Sequence, residues 1–249
     1  MTETTHDYED KIVKLLHKAE ARGTTPEEAE ALTGAAERLM IKFGIDQAML
    51  AAKRVASGGV AEKIVTEHVD FTGIYSKGMA YMAHYVTSAL GNVRCYQTDL
   101  GKRVRYSVVG FESDVKQTMT LLQSLQLQSV VAMNAWWKRN RENYYTGMAG
   151  YKARREFIIS FGSGAGERIR LARVTAEGDA AKSEPGTALV LVDRKKQVDT
   201  WVDDNLRLRT GTNRMQGGGI GARQAGHVAG RNANTGGSQL GGSRTALGR

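Results

Sequence analysis

The spacing of apolar side chains divides this chain into stretches of helical period and stretches of period two. Over residues 7–22, Ile12, Leu15, Leu16 and Ala19 share one face while Lys11, Lys14 and Lys18 lie elsewhere, which predicts an amphipathic helix. Thr25-Pro26-Glu27-Glu28 then reads as a start signal. Thr25 caps, Pro26 takes the first helical position where its missing N–H is harmless, and Glu28 closes a capping box. The second helix buries Ala29, Leu32, Ala36, Leu39 and Met40 and is expected to stop at Gly44, with Asp46 capping a third short helix to Ala56.

Ser57-Gly58-Gly59 forms a joint, after which residues 64–71 alternate as a strand. Helical periodicity returns over residues 75–90 through Met79, Met82, Val86 and Leu90, and ends at Gly91-Asn92. Val93 to Thr98 and Val104 to Val109 flank Asp99-Leu100-Gly101-Lys102, the pattern of a hairpin. Glu112, Ser113 and Asp114 open a long helix carrying Val115, Met119, Leu122, Leu125, Val130 and Met133 to about Asn140. A helix or helix pair is expected over residues 147–174, a buried strand over Ala188 to Val192, and a last amphipathic helix over Lys196 to Leu206. The fold class is therefore α+β. A small helical domain covers residues 1–56, and a small, mostly antiparallel sheet packs on long helices over residues 60–208.

Residues 209–249 differ in composition. From Gly211 onward there are twelve glycines and no aromatic residue, too little apolar surface to offset ordering entropy, so a largely disordered free tail is expected. One stretch, residues 222–233, would as a helix align Arg223, His227 and Arg231 at spacing four beside a face of small residues that allows close approach to another surface.

Charge follows the same division. The net charge of +9 combines ten acids against eight Lys/Arg in residues 1–56, an excess of five cations in residues 57–208, and six arginines with no acid in residues 209–249. An acid-free basic tail suits a polyanion partner and also serves as a solubilising segment. No apolar run approaches the roughly 18 residues of a membrane span, and Met-Thr-Glu-Thr-Thr-His-Asp is unlike a secretory signal, so a cytoplasmic protein without membrane association is expected.

Three motifs in residues 9–45 resemble the domain of unknown function 2786: the Lys11-Ile12 to Glu20 run, Glu28-Ala29-Glu30-Ala31-Leu32, and Leu39-Met40-Ile41-Lys42-Phe43-Gly44-Ile45. The remainder is similar to the uncharacterised C-terminal domain that accompanies it, through Val109-Gly110-Phe111-Glu112-Ser113-Asp114-Val115, the Ser160-Phe161 region, Leu189 to Arg194, and Ala225 to Arg231. The resemblance implies a bacterial or phage origin and brings no catalytic residues with it. If the Gly/Arg segment is a recurring part of that domain, it is more than solubilising filler.

The clearest candidate chemistry lies between Trp136 and Arg155. Trp136, Trp137, Tyr144, Tyr145 and Tyr151 interleave with Lys138, Arg139, Arg141, Lys152, Arg154 and Arg155, and Glu142 is the lone acid between residues 138 and 155. Bases stack on aromatic faces while cations neutralise phosphates, so these residues, together with Arg223, His227 and Arg231, form a candidate nucleic-acid-binding set. The bland alternative is that the tryptophans finish a helix's core face and the cations are solvated.

Other motifs carry weaker chemistry. Gly162, Gly164 and Gly166 mimic a phosphate-cradling loop but lack a Gly-Lys-Ser/Thr ending, so helix packing or a kink is the expected role. Glu112, Asp114 and Lys116 could hold a divalent ion in a nuclease, although acids at a helix start are also expected for dipole reasons. His6, His17, His68, His84 and His227 show no metal spacing, and His84 on an apolar helix reads as a half-buried core residue. The single cysteine, Cys95, excludes an internal disulfide framework. No catalytic residue, metal or cofactor is assigned. The expected function is a non-catalytic nucleic-acid-binding accessory protein for DNA or RNA. The alternatives are a metal-dependent nuclease using Glu112 or Asp114, and an interaction component whose acidic N-terminal helices dock a protein partner.

Overall fold

Two helices, rather than three, form the N-terminal segment: α1 (Glu3–Ala19) and α2 (Pro26–Ala56). The computed structural model describes residues 3–19, 21, 26–144, 147–209 and 217–233, so the expected cap Thr25 lies outside the described residues. Ile12 and Leu16 of α1 and Ala36 and Met40 of α2 are buried in the main core, which docks this pair onto the rest of the chain.

Three strands follow: β1 (Ile64–Thr72), β2 (Arg94–Asp99) and β3 (Arg103–Phe111). They form an antiparallel sheet in the order β1-β3-β2, with Asp70 opposite Arg105 and Arg94 opposite Val109. The expected hairpin is present, with Gly101 at φ 79° in its loop. Helix α3 (Ser76–Leu90) connects β1 to β2 and ends on Gly91, a left-handed cap at φ 72°.

Strand parity turns Val104, Tyr106 and Val108 toward the main core, and Ser107, Val109 and Phe111, on the opposite face, are buried as well. Helix α6 (Thr187–Asn205) contacts β2 and β3 and buries Val198 and Val202. The segment Ala188 to Val192 is therefore helical and not the buried strand its composition suggests. Leu189 is 75% exposed and Val192 67%. An apolar run of five residues has no resolvable period, and packing of the later α6 residues decides it.

Helix α4 (Glu112–Asn140) ends where the sequence indicates and passes through a short 3₁₀ turn (Arg141–Asn143) to α5 (Gly147–Ser183). Gly44 does not stop α2, which runs on through it with α4 packed close by: an added Cβ would lie 3.3 Å from Gln117 Oε1 and 3.9 Å from Asp114 Oδ1.

Helix α5 is a single element of 37 residues, about 55 Å long at 1.5 Å per residue. It touches α2, α3, α4, α6 and α7 (Ile220–Arg231). At about 100° per residue, Gly162 and Gly166 share one face of α5 and Gly164 points the opposite way. A Cβ at Gly162 would fall 2.6 Å from Met82 Cα, and one at Gly166 2.7 Å from the Tyr85 carbonyl, both on α3. A Cβ at Gly164 would collide with the His227 carbonyl of α7. The glycine run is therefore a two-sided packing device. Gly226 and Gly230 of α7 answer it from the other side, where a Cβ would strike the carbonyls of Phe157 and Phe161. Residues 217–233 are thus part of the folded body rather than of a free tail. Among the described residues no helix is long and apolar enough to cross a membrane.

Candidate functional site

The aromatic residues between 136 and 155 are drawn into the molecule by the apolar stripe of α4. Trp136, one turn beyond Met133, is 8% exposed, with ring centroids of Phe157 at 5.2 Å and Tyr144 at 5.9 Å. It is a core residue, which corrects its expected role as a base-stacking platform. Trp137 is half-buried. Tyr144 packs beside it, a Cβ on Gly150 would meet its ring at 2.7 Å, and the Arg154 guanidinium lies 4.7 Å from its centroid. Tyr151 stacks on Tyr75 at 5.7 Å, with Arg155 5.5 Å from the Tyr151 ring. The chain's own cations, Arg154 and Arg155, thus lie over the Trp137 and Tyr151 rings. Lys138, Arg139 and Arg141 are exposed and, like Arg154, have no ion pair among the described residues. Lys152 is half-buried, and Tyr145 lies outside the described residues.

Helix α7 does align Arg223, His227 and Arg231, but the row meets carboxylates of α5. Arg223 Nε donates to Glu156 Oε1 at 2.8 Å, while His227 Nε2 and Arg231 Nε lie 3.4 and 3.8 Å from Glu167 Oε2. The ends of α7 are clamped too. The Gly218 N–H donates to Glu156 Oε2 at 3.2 Å, and Arg168 Nη1 donates to the carbonyls of Arg231 and Ala233. A carboxylate at the N-terminus and a guanidinium at the C-terminus both oppose the helix macrodipole favourably. Glu156 and Arg168 are twelve residues apart on α5, about 18 Å, which matches the 12-residue length of α7. The basic stretch ends immediately before Glu156, and that lone carboxylate is the signal that locates the docking point.

A buried ionic network lies where α2, α3, α4 and α6 converge. Asp114, 4% exposed, accepts from Asn92 Nδ2 at 2.8 Å and from Arg194 Nη2 at 2.9 Å. Arg194 Nη1 donates to Glu62 Oε2 at 3.0 Å, and its guanidinium sits 3.8 Å from the Phe111 ring centroid. The Ser113 N–H donates to the other Glu62 oxygen at 2.8 Å. Burial pushes the Asp114 carboxyl above the ordinary carboxylate range, against the pull of Arg194 and Asn92. Both Asp114 oxygens are engaged, whereas Glu112 and Lys116 are exposed. Among the described residues no three His, Cys, Asp or Glu side chains gather as a metal site. The acidic start of α4 therefore anchors α6 structurally, and this geometry gives the nuclease reading no support. Arg194, Asn92 and Glu62 escape sequence reasoning because they are brought together from three distant segments.

Beside Asp114 opens a cleft of about 300 Å³. Its apolar lining includes Met40, Ile45, Leu90, Leu121, Ile169 and Leu191, and its polar and charged lining includes Asn92, Gln117, Arg173, Glu177, Arg194 and Lys195.

On the other side of α3, His84 faces β2. Its Nδ1 lies 3.6 Å from Cys95 Sγ, and Thr87 Oγ1 lies 3.3 Å from the same sulfur and 2.7 Å from the Tyr106 hydroxyl. Burial pushes the Cys95 thiol up, but hydrogen bonds from His84, Thr87 and Tyr106 outweigh it and hold the thiol below its ordinary value. The hydrogen bond to Cys95 raises the His84 imidazole against desolvation. No base lies adjacent to Cys95 in sequence, and the pairing arises because β2 runs alongside α3.

The family model described as Protein of unknown function (DUF2786) matches residues 9–47, spanning most of α1 and the first part of α2. The end of that match supplies Met40, Ile41, Gly44 and Ile45 to the cleft. No curated protein and no solved structure matches the chain.

Proposed function

We propose that this chain is a non-catalytic nucleic-acid-binding protein whose contact surface is the cationic end of α4. The observation that carries the reading is the set Lys138, Arg139, Arg141 and Arg154, four cations with no ion pair among the described residues. The Arg154 guanidinium lies over the Trp137 ring at 4.7 Å, and Trp137 precedes Arg141 by about one helical turn, so the set clusters at one end of the body. A stacked guanidinium is weakly hydrated and keeps its donors in a planar fork that suits phosphate. The overall charge of +9 and the acid-free residues 209–249 add attraction for a polyanion. The structural observations narrow the candidate surface: Trp136 is withdrawn as a contact, and Arg223, His227 and Arg231 serve the body's own carboxylates while α7 is docked.

Titration of fluorescent single- and double-stranded DNA and of RNA at two salt concentrations tests this reading. Binding is expected to weaken with salt. The Lys138→Gln/Arg139→Gln/Arg141→Gln variant should flatten the salt slope by about 2–3, because three side chains no longer displace counterions from phosphates. No binding at low salt, or a variant with unchanged affinity and slope, overturns it.

A further inference from the structure

At one end of the sheet, strand register sets two turns side by side. Thr72, the last residue of β1, pairs with Arg103, the first of β3, so the turn through Gly73, Ile74 and Tyr75 lies next to the hairpin loop of Leu100, Gly101 and Lys102. Lys77 Nζ on the first turn of α3 meets Asp99 Oδ2 at 2.8 Å and ties the two together. Both turns present an apolar side chain to water: Ile74 is 67% exposed and Leu100 44%. Lys102 is exposed as well and has no ion pair among the described residues.

A single exposed aliphatic residue means little by itself. What distinguishes Ile74 is how its turn is fixed to the cationic surface. The Tyr75 ring stacks on Tyr151 at 5.7 Å with 11° between the planes, and the Tyr151 hydroxyl donates to the Ile74 carbonyl at 3.1 Å. Arg154 lies 5.6 Å from the Tyr75 ring centroid and 4.7 Å from that of Trp137. One guanidinium of the cationic set therefore bridges α4 to the residue next to Ile74. A turn held in this way is ordered before a ligand arrives, which removes one cost of binding.

On the premise that the cationic surface binds nucleic acid, we infer that this sheet end is its base-contacting part and that the ligand is a single strand. Ile74 and Leu100 pack on the faces of unstacked bases, while Arg154 and Lys102 take adjacent phosphates. A duplex hides its base faces in the stack, and opening a step is costly. A single strand presents those faces freely. Aliphatic tips read no base edge, so little sequence preference is expected.

The test uses the full chain and a fluorescent single strand of about 20 nucleotides, longer than one typical binding site, carrying a 2-aminopurine, against the same strand in a duplex. Ile74→Ser/Leu100→Ser removes both apolar tips and leaves every cation in place. Affinity for the single strand should fall about fivefold to tenfold at fixed salt, with the salt slope unchanged because no phosphate contact is lost. Duplex affinity should stay the same, and the wild type should change the 2-aminopurine fluorescence more than the variant does. Each single substitution should show part of the same loss, and serves if the double variant does not fold. Three results overturn the inference: equal single-strand affinity in variant and wild type; an equal loss on the duplex; or a loss accompanied by a flatter salt slope, which would make the tips a mere support for phosphate contacts. Absence of any binding by the wild type removes the cationic surface itself. Salt-dependent binding that loses slope in Lys138→Gln/Arg139→Gln/Arg141→Gln but ignores the tip substitutions sinks this inference alone.

Discussion

Glu156 of α5 holds Arg223 of α7 at 2.8 Å while its second oxygen receives the Gly218 N–H at 3.2 Å. One half-turn of chain and one side chain are thus tied to the same carboxylate. Glu156→Ala should release the first turn of α7. Hydrogen-exchange mass spectrometry is expected to show protection lost across residues 217–233 and retained in α3 and β3. Uniform protection in the variant would contradict the clamp. The freed Arg223 should also raise affinity for a DNA oligonucleotide at low salt.

Glycines on α5 and α7 separate into those that touch a neighbour and those that do not. Gly230→Leu places a side chain on the Phe161 carbonyl and is expected to undock α7, lowering the melting temperature. Gly178, inside α5, has nothing within 4 Å of its added Cβ. Gly178→Ala should therefore stabilise by about 0.5–1 kcal/mol through lower backbone entropy in the unfolded chain. For a chain of this size that is a rise of roughly 1–4 °C in Tm. Equal effects at the two positions would refute the packing argument.

Arg194 is the hub between Asp114 and Glu62. Arg194→Met should destabilise by about 3–5 kcal/mol, because it leaves buried carboxylate charge without its partner. The Asp114 carboxyl is raised above its ordinary 3.8 by burial. Its folded state therefore takes up a proton more readily than the unfolded chain does. The stability it contributes is present below 3.8 and declines as pH rises through the folded-state value. Urea unfolding of the wild type and of Asp114→Asn from acid to neutral pH should show the difference between them changing across that window and flat above it. A pH-independent difference would mean the carboxyl is not raised.

Cys95 should alkylate with a pH midpoint below the ordinary thiol value of 9.0. The rate with iodoacetamide follows the thiolate fraction. Removing the imidazole in His84→Ala is expected to move the midpoint upward and slow the reaction at neutral pH. Mass spectrometry of the single modified peptide measures both. A midpoint unaffected by the substitution would leave His84 as a mere neighbour.

Long periodic segments are legible from the sequence alone. Helix α4 carries its apolar stripe over many turns and ends at Asn140, and the hairpin is bracketed by Asp99 and Gly101, so pattern and turn chemistry agree there. Gly44 and the Ala188 to Val192 run mislead because tertiary contact, not local propensity, decides them. The same distinction governs the sites. The cations of residues 138–155 are adjacent in sequence and can be seen as a group, yet the burial of Trp136 depends on Phe157 across the helix interface. Asp114 and Arg194 are 80 residues apart and Glu62 and Arg194 are 132 apart, so no local spacing announces the network. Glu156 stands one residue past the basic stretch and is visible only as an interruption.

The opposed glycine faces of α5 have a consequence for the order in which the protein is made. The partner of Gly162 and Gly166, α3, precedes α5 in the chain, so that groove can close as soon as α5 forms. The partner of Gly164, α7, is synthesised last among the described helices. During translation α5 therefore waits with one bare, glycine-lined side until residues beyond 217 emerge. A nascent chain halted before that point carries an open helical groove, which makes completion of α7 the step that seals the fold.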